Sequence, residues 1–306
     1  MVVKTNKDRM MKQALMAKIA PPVMPGGGVR STYITTWDGR PKIGIGVGGI
    51  KYNVKVGDAC LGWPETEYLE PGVALMGVDE KPVVSFGKTS ETAEALLKFS
   101  CVGNSVTMVS GSGKGVKGVI TGKGGVAGTR RHLLSHFPDG DLDKLDIGDK
   151  ARIASEGVAF EVEGFDGRVF NMSPTFLEAL SPEMDGDVLE LPVVMEIPVM
   201  ALGIGVGGGS AETGNWCIQS NPPHLVKQIG IQRLRFGDLV ACRDALMSYG
   251  KGYYKGAVSV GVVTTGGSDV AGQGPGVLAI AASKRGKIKT RIEAEANLVN
   301  YLGLEG

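Results

Sequence analysis

Two of the three histidines, His132 and His136, stand four residues apart, so a helix over residues 129–137 would carry both rings on one face, as in a two-histidine metal clamp. Asp139, Asp141 and Asp143 then alternate like the opening of a calcium loop, but Lys144 and Lys150 occupy the places that need glycine and the terminal glutamate. The segment reads as a polar helix and an acidic surface loop, with no metal site. Lys114, Lys117 and Lys123 lie among glycines, which is the composition of a loop that holds a small anion or of a solvated hairpin. Cys217, beside Trp216, is the best-placed thiol and reads as packed and inert. No Gly-x-Ser-x-Gly elbow or Ser-x-x-Lys pair marks a serine nucleophile, and His224 has no evident partner.

The elements that must position these groups are written in glycine. There are 48 glycines in 306 residues, set between short Val/Ile runs, and Gly-Ile-Gly-Val-Gly-Gly occurs at both residues 44–49 and 203–208. Gly-x-Gly-x-x-Gly is matched at Gly44/Gly46/Gly49, Gly113/Gly115/Gly118 and Gly203/Gly205/Gly208. None is followed by a convincing helix, and a dinucleotide site needs that helix to hold its pyrophosphate. Residues 43–50, 52–56, 83–86, 105–109 and 116–121 read as strands. Residues 90–99 read as a helix capped by Ser90, and 174–180 as one capped by Ser173 with Pro174 in its first turn. The dipeptide Gly-Asp recurs at Gly57-Asp58, Gly148-Asp149 and Gly237-Asp238, each an expected turn into a strand with a structural aspartate.

Near the N-terminus Met10, Met11, Ala14, Leu15 and Ile19 interleave with lysines and Arg9, a helical pattern that ends at Pro21-Pro22. The lysines deny this stretch the apolar run of a secretory signal, and no run approaches membrane-spanning length. A net charge of +1 gives no field for a nucleic acid or an anionic membrane. The four cysteines form no Cys-x-x-Cys pair, and the chain is expected in the cytoplasm. These patterns predict a mainly β fold of barrel- or sandwich-like modules with a few short covering helices. The expected division is a helix and linker over residues 1–29, a β lobe over 30–200 and a second β lobe over 201–306.

Unusual residues are densest in Arg233-Leu-Arg-Phe-Gly-Asp-Leu-Val-Ala241, Asp244, Tyr249-Gly250, Lys255-Gly-Ala-Val-Ser-Val-Gly-Val-Val263 and Gly272-Gln-Gly-Pro-Gly-Val277. With Cys101-Val-Gly-Asn104 and Gly118-Val-Ile-Thr-Gly-Lys123, this ordered set resembles the domain of unknown function 4438 family over most of residues 30–280. The resemblance implies a mainly β architecture and no established activity. It also implies three histidines, after the Gly-Lys pair, after the Gly-Val-Val strand and within a Gly-His-Gly-Pro-Gly turn. Here Gly124, Thr264-Thr265 and Gln273 stand at those places, and Gln273 cannot shuttle a proton at neutral pH.

The resulting expectation is one polar pocket where Lys123, the 244–249 loop and the Gln273 turn meet. In it Lys123 holds an anionic group, Asp244 orients substrate or acts as base, and Asn104, Lys114, Tyr249 and Gln273 bind ligand. The sharper reading is an enzyme acting on a small anionic metabolite by hydrolysis or elimination. The alternative is a noncatalytic ligand-binding or assembly protein, and either is expected as a homo-oligomer. The sequence specifies no cofactor.

Overall fold

The computed structural model describes residues 3–23, 33–80, 91–125, 131–206, 210–248 and 252–304. The chain is mainly β. Six antiparallel strands close a barrel: β1 (Gln13–Ile19), β2 (Val73–Gly77), β3 (Ser105–Met108), β4 (Lys117–Gly124), β5 (His132–His136) and β6 (Lys150–Ser155), in the spatial order β1-β2-β5-β4-β3-β6 and back to β1. Ile19, Leu75, Val106, Met108, Ile120, Leu133 and Ile153 fill its interior, and helix α1 (Glu91–Phe99) adds Leu96 and Leu97 to the same core. Strand alternation explains the filling: β6 buries Ala151, Ile153 and Ser155 while Lys150, Arg152 and Ala154 face out.

Beyond the barrel come helix α2 (Pro174–Ala179) and strands β7 (Glu183–Asp185), β8 (Val188–Val193), β9 (Met195–Pro198), β10 (Leu202–Val206), β11 (Asn215–Ile218), β12 (Leu239–Leu246), β13 (Gly252–Thr265), β14 (Gly276–Ser283) and β15 (Ile288–Ile292). One sheet runs β9-β12-β13-β14-β11-β10, with Arg168–Val169 paired to β14; a second runs β7-β8-β15, with β8 and β15 parallel. β13 is the spine of the larger sheet. Its residues from Ala257 onward are buried without a break, Val258, Val260 and Val262 facing one core and Val263 the other. Burial on both faces replaces charged alternation with small apolar residues and the buried hydroxyls of Ser259, Thr264 and Thr265.

Three local expectations hold for physical reasons. Ser173 caps α2 by accepting from the Phe176 amide at 3.1 Å, with Pro174 in the first turn. Ser173→Ala is expected to cost about 1 kcal/mol, read as a lower denaturation midpoint in urea. α1 buries Ala93, Leu96 and Leu97, while Ser90 lies outside the described residues. The three Gly-Asp turns share one geometry. Gly57, Gly148 and Gly237 have φ of 100°, 95° and 86°. The carboxylates of Asp58, Asp149 and Asp238 each accept from the amide three residues earlier, that of Lys55, Asp146 or Arg235, at 2.8, 3.1 and 2.8 Å. β6 and β12 follow the second and third turns, whereas the first leads only into the single bridge Ala59 to Arg235.

Other expectations are corrected. The N-terminal stretch is a strand, β1, after a short 3-10 turn at Lys7–Arg9. Its burial follows period two, with Ala17 and Ile19 inside and Ala14 and Met16 exposed, because barrel closure against β2 and β6 outweighs helical propensity. His132 and His136 lie on strand β5, where a spacing of four also keeps both on one face. Residues 43–50 and 52–56 form loops with isolated bridges at Ile45, Val47 and Ile50, since Gly46, Gly48 and Gly49 take φ of 118°, 70° and 74° and cannot continue a ladder. Residues 83–86 lie outside the described residues. No helix among the described residues is long and apolar enough to cross a membrane.

Candidate functional site

The last residues of β4 run between the barrel and the larger sheet, and they carry a buried lysine. Gly122 and Gly124 permit this: a Cβ at Gly122 would lie 2.5 Å from Thr264 Cγ2 of β13, and one at Gly124 would lie 2.2 Å from Glu70 Oε1. Lys123, between them, is buried at 2% exposure. Its Nζ donates to Asn171 Oδ1 at 2.6 Å and to the Glu212 carbonyl at 2.7 Å. Both acceptors are neutral, and no carboxylate is within ion-pair distance of this ammonium among the described residues. Burial pushes the Lys123 pKa down to about 8, against weaker upward pulls from Cys101 and Glu212. Asn171 is fixed in turn. It takes a left-handed φ of 55°, which asparagine tolerates, and its Nδ2 donates to the carbonyls of Ala211 and Ala279 at 2.8 Å each.

Asn215 on β11 joins the two sides. Its Nδ2 donates to the Lys123 carbonyl and to Thr264 Oγ1, both at 2.9 Å, while its Oδ1 is buried without a donor among the described residues. Glu212 turns its carboxylate away to Arg168 at 2.8 Å. Nearby, burial raises the Cys101 thiol to about 11, so it is a neutral group at physiological pH.

On the other side of the β4 terminus lies a second buried group. Glu70, 1% exposed, accepts from the amides of Gly48 at 2.7 Å and Gly125 at 2.6 Å and meets His132 Nε2 at 2.7 Å. Burial alone would raise this carboxyl, but His132, Lys51 and the Gly48 amide together hold it below the usual carboxylate range. Lys51 in turn bonds the Gly48 carbonyl. The first Gly-Ile-Gly-Val-Gly-Gly string is thus a wrap around a buried carboxylate, tied at Glu70 to the barrel.

The residues singled out from sequence are spread more widely than one pocket. Lys114 is exposed in the β3–β4 turn, and Lys117 and Lys123 stand at opposite ends of β4, about 20 Å apart at the usual rise per residue. Asn104 is buried and bound to backbone, accepting from the Cys101 amide at 2.9 Å and donating to the Glu156 carbonyl at 2.8 Å. Asp244, at φ 57°, accepts from the Gly256 amide at 2.6 Å and closes a bulge in the β12–β13 hairpin. Gln273 is held through its backbone, by its amide on the Val270 carbonyl and its carbonyl on the Ser220 amide. No hydrogen bond or ion pair joins Asp244 or Gln273 to Lys123 among the described residues. Tyr249 lies outside the described residues. Glu70, Asn171 and Asn215 escaped sequence reasoning, and His132 was singled out only for its spacing from His136. The available hint was polar residues set in otherwise apolar, glycine-flanked segments, as at Leu69-Glu70 and Phe170-Asn171.

The model of the N-terminal part of a domain of unknown function, DUF4438, matches residues 33–178, and that of its C-terminal part matches residues 179–302. The chain belongs to the DUF4438 family. A solved structure described as "Crystal structure of TM1086" is 35% identical, with a TM-score of 0.84 over 97% of this chain and 98% of that one. No protein of curated function matches the chain. The boundary between the two DUF4438 parts falls at the C-terminal end of α2. The N-terminal part therefore holds Glu70, Lys123, His132 and Asn171, and the C-terminal part supplies Glu212, Asn215 and Thr264. The Lys123 centre is built by both halves of the DUF4438 fold.

Proposed function

We propose that the centre at Lys123 binds a small anionic metabolite, with the ammonium as its anchor. The observation that supports this reading is a fully buried cation resting on two neutral oxygens, with no paired carboxylate among the described residues. A buried ammonium is costly unless an opposite charge offsets it, and a carboxylate or phosphate would supply that charge. Asn215 Oδ1, an acceptor without a donor among the described residues, suits a ligand that also carries a hydroxyl or amine. An amine with a pKa of about 8 can take up and release a proton near neutral pH, so in the enzymatic form of the proposal Lys123 is the acid/base in a hydrolysis or elimination.

A noncatalytic binding module, assembled as a homo-oligomer, is the second reading. It is favoured by the engagement of the other candidate groups: Glu70 with His132 and two amides, and Asp244 with the Gly256 amide. A thermal-shift panel of small carboxylates and phosphates tests both. At least one anion is expected to raise the Tm of the native protein by several degrees and to leave Lys123→Met unmoved. If Lys123→Met retains every response, the proposed site is wrong. Incubation with the stabilising anion under NMR observation then separates turnover from binding.

A further inference from the structure

We propose that the outer face of the barrel over β1, β6, β3 and β4 docks an extended acidic segment of a protein partner. Strand register places Met16, Arg152, Thr107 and Lys117 in one row across the four strands, and Ala14, Ala154, Ser105 and Val119 in the row beside it. Their sequence neighbours Ala151, Ile153, Val106 and Met108 fill the barrel core, so both rows point outward. Ala14, Ser105, Lys117, Arg152 and Ala154 are exposed, and Met16 is 42% exposed. Lys150, two residues before Arg152, shares this face, and Lys114 sits in the turn that ends it.

The four cations Lys114, Lys117, Lys150 and Arg152 have no carboxylate within ion-pair distance among the described residues. Neighbouring lysines do, Lys12 with Glu156 and Lys144 with Asp141. Asp149, the acid nearest this edge in sequence, is engaged by Ser110 Oγ and the Asp146 amide. The geometry suits an extended chain. Lys150 and Arg152 stand about 7 Å apart along their strand, the same repeat as alternate residues of an extended peptide, and Lys117 lies about 10 Å away across two strand spacings. The row of Ala14, Ala154, Ser105 and Val119 is low, so a peptide backbone can approach closely beside the cations. Neither row contains an aromatic ring, so nucleic-acid bases have nothing to stack on, and this favours an acidic polypeptide over a single-stranded nucleic acid.

Fluorescence anisotropy at low ionic strength tests the proposal, with a labelled peptide of alternating glutamate and serine as one probe and an oligothymidylate of equal charge as the other. The peptide is expected to bind the native protein more tightly than the oligonucleotide does. Combined Lys117→Glu, Lys150→Glu and Arg152→Glu substitution should weaken it by about tenfold or more, and Lys117→Gln with Arg152→Gln by an intermediate factor. All three positions are exposed, so both variants should melt with the native protein, and the neutral pair serves if the reversed set does not fold. Absence of peptide binding, equal binding by the folded variants, or tighter binding of the oligonucleotide would overturn the proposal.

Discussion

Glu70→Ala is expected to lower stability by about 3–5 kcal/mol, the largest loss from any single substitution at the junction. The carboxylate satisfies the Gly48 amide, the Gly125 amide and His132 at once, at 2.7, 2.6 and 2.7 Å, in a site 1% exposed. Alanine would strand all three donors and leave Lys51 without its opposite charge. At roughly 2 °C per kcal/mol for a chain of this size, Tm should fall by about 6–10 °C. Glu70→Gln should fall between the two, since an amide can accept from one donor but turns its NH2 toward another. The pH dependence has a definite sign. Because the folded-state pKa of Glu70 lies below its ordinary value, the stability it contributes is fully present above about pH 4.5 and is lost as pH falls through the folded value. The difference between native protein and Glu70→Gln in urea melts should therefore shrink on acidification. A constant difference would contradict an ionised Glu70 in the folded chain.

Lys123→Met should produce a stability difference that also rises with pH, but in an alkaline window. The folded pKa is about 8, against an ordinary lysine value of 10.5. Below pH 8 both states are protonated and the folded state bears the burial cost of the charge. Between pH 8 and 10.5 the folded state releases its proton first, so native stability relative to the variant rises, by up to about 3 kcal/mol across the window. Comparison with the variant is required because buried thiols titrate in the contrary sense. Cys101 and Cys242, raised to about 11 and 12, keep protons that the unfolded chain has lost. Urea midpoints of both proteins measured from pH 7 to 10.5 check this, and a flat difference would show an ordinary lysine at position 123.

What the sequence made legible was local chemistry. The Ser173 cap needs only Pro174 and a helix of one apolar face, and the Gly-Asp turns need only a positive φ and a carboxylate that folds back three residues. Pairing over distance was not legible. The N-terminal residues satisfy a helical period and a strand period together, and closure of the barrel through β1 decides between them. His132 suggested metal binding by its spacing from His136, whereas its partner is Glu70, 62 residues away. Lys123 looked like a loop lysine because glycines surround it. Those glycines instead bring β4 against Glu70 and Thr264, and the ammonium is held by residues 48 and 89 positions distant. Asp244 illustrates the reverse case, a carboxylate with catalytic credentials by type whose hydrogen bond closes a bulge.

The most direct test of the Lys123 centre is a heteronuclear NMR titration of its Nζ and Cε in the native protein, assigned by loss of the signal in Lys123→Met. The buried amine should titrate with a midpoint near pH 8, and a saturating anion chosen from the thermal-shift panel should move that midpoint upward by about one unit or more as a counter-charge arrives. A midpoint near 10.5 that no small carboxylate or phosphate displaces would contradict both the burial of the charge and its proposed use.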